Sequence, residues 1–127
     1  MSIFNLLTHV ESVLRCDFII RCQQRKKDKL TKKFRSFYKP DKKIYSYRLK
    51  EDILDHWIEY RPNYSDIFNY FNEALKLRHW VAHGRYWEYD TNWRKFSFDS
   101  VFAMIEKFHL YLDSDLKKVN DIGVLQL

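Results

Sequence analysis

"SDIFNYFNEALKLRHWVAHG", residues 65–84, predicts an amphipathic helix with an arginine on its apolar face. At about 100° per residue, one face of this helix collects Ile67, Phe71, Ala74, Leu75, Val81 and Ala82. Arg78 falls in the middle of that face. Because a guanidinium stays charged at any ordinary pH, we expect Arg78 to have an anionic partner or to open onto a cavity.

The two ends of this helix are marked by ordinary capping signals. Ser65 is a suitable N-cap, and Asp66 favours the positive end of the helix. Gly84 suits the residue after a helix C-terminus. His83 lies about 140° round from Arg78 and about 7.5 Å along the axis. The two side chains therefore do not stack on one face, and we expect them to line a cleft shared with a second copy in a homodimer.

Apolar patterns elsewhere predict further helices. The first is expected over about residues 2–25, with an extension to Arg35 left open, and its stripe is Ile3, Leu7, Val10, Leu14 and Phe18. The second covers residues 46–60, with Leu49, Ile53, Trp57 and Tyr60 at helical spacing. The last runs from about Phe98 to Leu116, with its stripe at Phe98, Phe102, Ile105 and Leu112.

The intervening segments predict connections. The apolar period is lost after the first helix and Pro40 follows, so we expect no helix there and a mobile basic connector at about residues 36–45. Residues 85–97 show no helical period. With 127 residues and only two glycines and two prolines, the chain fits one all-α domain, a compact bundle of four to five helices.

The sequence carries no sign of export or of a membrane anchor. No apolar run approaches the roughly 20 residues of a membrane span, and the start "MSIFNLLTHVESVLR" lacks the features of a signal peptide. Cys16 and Cys22 lie off a common helix face and form no metal or redox motif. We expect a cytoplasmic protein with reduced cysteines that serve packing.

Charge is distributed unevenly along the chain. The net charge is +6, but residues 21–50 hold 13 Lys and Arg against Asp28 and Asp41, which gives +11 for that segment and −5 for the remainder. Such asymmetry is typical of a protein that binds a polyanion. The alternative is that the segment is a solvated basic helix. The candidate RNA-binding residues are Arg25, Lys26, Lys27, Lys32 and Lys33, together with Arg85 and Tyr86 beyond the glycine.

An arginine and a histidine in one cleft have a direct use on RNA. Imidazole transfers protons near neutral pH, and a planar guanidinium holds a phosphate and its developing charge. With the ribose 2′-hydroxyl as nucleophile, the pair needs no metal or other cofactor. His79 and His83 have the spacing of a zinc pair, but Trp80 replaces the expected glutamate and no third ligand is evident.

"RHWVAHG", residues 78–84, resembles the R-x4-6-H motif of the HEPN (higher eukaryotes and prokaryotes nucleotide-binding) superfamily. This all-helical family includes many metal-independent endoribonucleases of toxin–antitoxin, phage-defence and RNA-processing systems. The resemblance implies that Arg78 and His83 are catalytic and that His79 is the polar residue following the arginine. "HVESVLR", with Glu11 and Arg15 one turn apart, is similar to polar pairs on HEPN first helices and implies a supporting role.

The resemblance also implies a neutralising antitoxin or other inhibitory partner. One departure concerns regulation, because Arg85 stands where some HEPN toxins have a modifiable tyrosine, and Tyr86 comes one residue later.

Several alternatives stay open at the level of sequence. Arg78 could form a structural ion pair with Glu11 or Asp17, and His83 could cap the helix end. The whole chain could be a non-catalytic module that binds RNA, a nucleotide or a protein. His109 is expected to be a core histidine satisfied by a hydrogen bond. The aromatic residues of 85–97 could stack on bases or belong to a core or interface.

Overall fold

The structure, a computed structural model, describes the backbone of residues 3–82 and 96–125 and the side chains of residues 4–76 and 96–118. Its five α-helices within these ranges are α1 (Ile3–Gln23), α2 (Lys29–Phe37), α3 (Asp55–Tyr60), α4 (Ser65–Ala82) and α5 (Phe98–Leu125). No strand occurs in the described ranges, so the all-α class predicted from the sequence is confirmed. None of the helices found there is long and apolar enough to cross a membrane.

The helix α1 is the central element, because α2, α4 and α5 all pack against it. Its predicted stripe is confirmed, because Leu7, Val10, Leu14 and Phe18 are completely buried. The helix ends at Gln23, and Arg25 has a positive φ of 53°, which breaks the helical path. The extension of this helix to Arg35 is therefore wrong.

A separate amphipathic helix, α2, follows the first, and the expectation of no helix in this lysine-rich stretch is wrong. The carboxylate of Asp28 caps α2 by accepting a hydrogen bond from the Thr31 N–H at 3.2 Å. Leu30, Thr31 and Phe34 face the core, and the lysines between them face outward. Two apolar residues one turn apart were enough to fix the helix face, although the surrounding charge concealed the period.

The connector predicted at 36–45 is consequently shorter. Residues 36 and 37 belong to α2, and Ile44–Ser46 forms a 3₁₀ turn. Lys39 lies between these two elements, and its N–H donates a hydrogen bond of 2.9 Å to the hydroxyl of the buried Tyr47. The same hydroxyl lies 3.2 Å from the Lys39 carbonyl oxygen. This part of the chain is thereby tied to the core.

The segment predicted as one helix over residues 46–60 begins later and is irregular. Tyr47 and Arg48 are extended, Leu49–Leu54 forms a π-helical turn, and α3 completes the segment. Ile53 and Trp57 are completely buried, as their spacing predicts. Pro62–Tyr64 then forms a 3₁₀ turn that leads into α4.

The N-terminal turns of the last two helices differ from the sequence prediction in their capping and exposure. Ser65 has helical dihedral angles and is the first residue of α4, so its assignment as N-cap is wrong. The N-terminus of α5 is capped instead by Ser97, whose Oγ accepts a hydrogen bond from Ser100 N–H at 3.1 Å. Phe98 and Phe102 are 44% and 46% exposed, so the predicted stripe of this helix is wrong at its first two positions.

The face of α5 that packs on the core is set by other residues. Its buried positions are Val101, Met104, Ile105, Phe108, Leu112 and Asp115. Their spacing of three and four residues is helical, but a local pattern containing so many aromatic residues does not reveal which row meets α1 and α4. Only the packing partners decide between the two rows.

One continuous core joins all five helices. Phe18 of α1 packs against Phe34 of α2 with ring centroids 5.0 Å apart, and against Tyr47 at 4.8 Å. Trp57 stacks on Phe68 of α4 at 5.1 Å. Aromatic rings therefore connect the short helices to the long ones.

We expect truncation of the α2 anchor to unfold much of this packing. Phe34→Ala should lower the free energy of unfolding by about 3–5 kcal/mol, because it empties a fully buried aromatic site. Phe102→Ala makes the same chemical change at a half-exposed site and should cost about 1 kcal/mol or less. Urea denaturation followed by circular dichroism measures both, and equal losses would contradict the placement of α2.

Candidate functional site

The residues of the R-x4-6-H motif are placed only in part. Positions 78 and 79 belong to the last turns of α4, and their side chains lie outside the described residues. His83, Arg85 and Tyr86 also lie outside the described residues. The structure thus positions the helix that carries the motif, while the roles of Arg78, His79 and His83 stay predictions.

Glu11 and Arg15 form the ion pair that their spacing on α1 predicts. The Arg15 guanidinium donates to Glu11 Oε1 at 3.2 and 3.3 Å. It also donates to the carbonyl oxygens of Ile44 at 3.1 Å and Tyr47 at 2.8 Å. Arg15 is buried and holds the 3₁₀ turn against α1, which is a structural function. A supporting role of the pair in catalysis stays a prediction.

The basic segment forms a solvent-facing surface around α2. Among the RNA-binding candidates, Arg25, Lys27, Lys32 and Lys33 are exposed, and Lys26 is half-buried. The opposite face of α2 is buried, so the lysines are directed outward by the packing of Leu30 and Phe34. This arrangement concentrates positive charge on one region of the surface.

One arginine of the basic segment is directed inward. Arg21 is completely buried, and it belongs to a set of side chains that we call the buried charge cluster: Asp17, Arg21, Asp28, Arg61 and Asp115. Arg21 donates to Asp17 at 2.8 Å and to Asp115 at 2.7 Å, and its Nη1 lies 3.6 Å from Asp28. Its guanidinium also lies over the Trp57 ring, 4.8 Å from the centroid.

Arg61 completes the cluster from the end of α3. Its guanidinium donates to Asp28 at 3.0 Å, to Asp115 and to the Tyr60 carbonyl oxygen at 3.0 Å. Asp28 and Asp115 therefore each contact two guanidinium groups, whereas Asp17 contacts one. The cluster links α1, the start of α2, the end of α3 and the middle of α5.

Burial and the neighbouring charges shift the pKa values of Arg21 and Asp17. Burial acts to lower the pKa of Arg21, but Asp17, Asp115 and Asp28 outweigh it, and the pKa is raised. Burial raises the pKa of Asp17 to about 6, although its contact with Arg21 acts in the opposite direction. With two guanidinium groups and three carboxyl groups, the cluster becomes neutral when one carboxyl group is protonated. Because burial raises the pKa of Asp17, we expect this group to bind the proton.

Sequence reasoning missed this cluster, although a signal for it was present. Arg21 lies seven residues after Leu14 and three after Phe18, so it continues the apolar stripe of α1. The argument that drew attention to Arg78 applies equally to Arg21. Asp17, one of the possible partners of Arg78, is paired with Arg21.

The remaining candidates occupy modest positions. His109 is half-buried, and its Nε2 lies 3.3 Å from Nε2 of the exposed His9. Cys22 is buried, which raises the pKa of its thiol to about 12, whereas Cys16 is exposed. No group of three or more histidine, cysteine, aspartate or glutamate side chains in the described part of the chain is arranged to hold a metal ion.

Comparison with known proteins adds no relative to this description. The sequence matches no protein-family model and no curated protein, and the fold matches no solved structure.

The raised pKa of Asp17 predicts a pH dependence of stability. A folded-state pKa of about 6 lies above the ordinary aspartate value of 3.8, so the contribution of Asp17 to stability is present at low pH and is lost as pH rises through 6. The quantity to compare is the free energy of unfolding of wild type minus that of Asp17→Asn. We expect this difference to be about 1 kcal/mol larger at pH 5 than at pH 8. Urea denaturation at the two pH values measures it.

Asp115→Asn is the matched comparison for this prediction. It makes the same isosteric change at a carboxylate that contacts both Arg21 and Arg61, so we expect a loss of about 3 kcal/mol or more at pH 8. At this pH, Asp17→Asn should cost clearly less. Equal costs for the two variants, or a difference for Asp17→Asn that does not change with pH, would contradict the assignment of the proton to Asp17.

Proposed function

We propose that this protein is a metal-independent endoribonuclease in which Arg78 and His83 carry the reaction. The observation that supports this most is the position of "RHWVAHG" at the end of a long helix of an all-α fold. Position 78 lies seven residues after Phe71 and four after Ala74, both buried, so it continues their row along α4. A charged arginine at that position would need the anionic partner that the sequence predicts.

The proposed reaction uses the RNA itself as nucleophile. The ribose 2′-oxygen attacks the adjacent phosphorus while an imidazole of His83 takes the 2′-hydroxyl proton. The bond from phosphorus to the 5′-oxygen breaks, and this oxygen receives a proton. Arg78 holds the phosphate and balances the charge that develops on it. The products are a 2′,3′-cyclic phosphate and a 5′-hydroxyl, with no change of redox state.

A homodimer with a composite site suits this chemistry. One proton is removed and another is delivered, and two copies of His83 in a shared cleft supply a base and an acid. The geometry of an α-helix separates residues 78 and 83 by about 140° and about 7.5 Å, which also favours a cleft between two copies of α4. We therefore include the dimer in the proposal.

The surface charge is compatible with an RNA substrate. Exposed lysines of α2 add positive charge outside the motif, and neutralising phosphates there gives salt-dependent affinity. A small basic ribonuclease requires restraint, so we further propose a role as a toxin or phage-defence effector with a neutralising partner. Cytoplasmic location belongs to the same proposal.

The second candidate is a non-catalytic module that binds RNA. The lysine surface of α2 favours this candidate, because the surface includes no residue of the motif. On this alternative, Arg78 is half of a structural ion pair. The two candidates predict the same salt-dependent binding and differ in whether RNA is cut.

Cleavage assays separate them. We expect the purified protein, in excess EDTA, to cut single-stranded RNA or total tRNA into discrete fragments ending in 2′,3′-cyclic phosphate. Arg78→Ala and His83→Ala should each lower the rate at least about 100-fold, because a phosphate clamp and a proton-transfer group are removed. Gel analysis of end-labelled RNA, with chemical mapping of the ends, measures this.

Two variants outside the motif serve as controls. Arg48→Ala removes an exposed guanidinium and His9→Ala an exposed imidazole, and neither should change the cleavage rate appreciably. Size-exclusion chromatography with light scattering should show the same dimer for all four variants. Cleavage that survives both motif variants would refute the proposed site. RNA binding without cleavage by the folded wild-type dimer would favour the binding module.

A further inference from the structure

A second candidate site lies at the opposite end of α4 from the motif. A cavity of about 460 Å³ opens where the start of α2, the 3₁₀ turn after α3 and the middle of α5 meet. Tyr64, in this turn, lines it and is held in place by stacking on Tyr111, with ring centroids 4.5 Å apart. At about 1.5 Å per residue, the Cα atoms of Tyr64 and Arg78 are separated by about 21 Å along the helix. The cavity is therefore distinct from the R-x4-6-H motif.

The lining of this cavity is strongly basic. Lys27, Lys29, Lys32 and Lys118 surround it, and all four side chains are exposed. None of these lysines forms an ion pair with another residue in the described ranges. Arg61 also lines the cavity, but its guanidinium is bound to Asp28 and Asp115, which line it too. An anionic ligand would find an excess of positive charge here.

The two carboxylates are already balanced by the buried charge cluster. Asp28 and Asp115 line the inner wall of the cavity and are each held by Arg21 and Arg61. Their negative charge is therefore compensated from within the protein. The lysines keep their charge for a ligand, and a phosphate group is the anion that several converging ammonium groups bind well.

The carboxyl group of Asp28 forms part of the inner wall of the cavity. Asp28 is buried, and its Oδ2 accepts from Thr31 N–H and from Arg61. Its Oδ1 has almost no accessible surface, so a molecule in the cavity does not reach it. A ligand would therefore be held by the exposed lysines of the lining.

We propose that this cavity binds the phosphate group of a nucleotide, either free or within an RNA strand. The lysines of the lining bind the phosphate oxygens. The volume lies within the range of roughly 300–1,000 Å³ that small-molecule sites occupy. The site involves neither Arg78 nor His83, so it is independent of whether the protein cuts RNA.

Titration calorimetry of the full chain with adenosine 5′-monophosphate at low salt tests the proposal. The double variant Lys29→Ala/Lys32→Ala removes two lysines of the cavity and should weaken binding at least about tenfold. Lys39→Ala/Lys43→Ala is the matched control, because both lysines are exposed and neither lines the cavity. The control should change affinity less than about twofold, and thermal unfolding should show that both variants are folded.

The phosphate contact has its own test. Adenosine lacks the phosphate group, and it should bind wild type at least about tenfold more weakly than adenosine 5′-monophosphate. Equal affinity for the two ligands would overturn the phosphate contact. Equal weakening by the two lysine double variants, or no binding of adenosine 5′-monophosphate by wild type at millimolar ligand, would overturn the site itself.

Competition identifies the source of the phosphate group. If a single-stranded pentanucleotide RNA displaces adenosine 5′-monophosphate from wild type, and binds the cavity variant more weakly, the ligand is a nucleotide within RNA. If the RNA does not displace the bound nucleotide, the ligand is a free nucleotide. Because Arg78→Ala and His83→Ala should leave this binding unchanged, loss of cleavage and loss of cavity binding can be told apart.

Discussion

The fully buried guanidinium of Arg21 is the constraint on which the arrangement of the other elements depends. It lies on the apolar stripe of α1, where a charged group is stable only if carboxylates and aromatic faces replace water around it. Asp17 comes from the same helix, but Asp28 and Asp115 have to be supplied by segments distant in sequence. The start of α2 and the middle of α5 are thereby held at one place beside α1.

The same interactions determine how charge is presented at the surface. Asp28 serves at once as the N-cap of α2, as a partner of Arg61 and as a wall of the adjacent cavity. Acidic groups that could have neutralised neighbouring lysines are directed toward the interior. The lysines at the start of α2 consequently face solvent, which gives the basic surface that both proposals use.

Arg15 performs a similar function one and a half turns earlier on α1. Its guanidinium bridges Glu11 and two backbone carbonyl oxygens, so the turn at residues 44–47 is fixed without a regular helix. The buried Tyr47 then packs on Phe18 and forms hydrogen bonds with Lys39. An irregular stretch of the chain is held by side chains of α1, and the π-helical turn that follows is positioned by it.

The sequence by itself determined the all-α class, the buried stripe of α1 and the helix that carries Arg78. These features depend on contacts between residues three or four apart, and helical periodicity records them directly. The assignment of Arg78 and His83 as catalytic residues also comes from the sequence, through a motif, and stays a prediction. Only the tertiary structure decided the existence of α2, the face of α5 and the partners of Arg21. Each depends on groups far apart in the chain, and a local pattern cannot show which distant carboxylate or ring will complete a buried site.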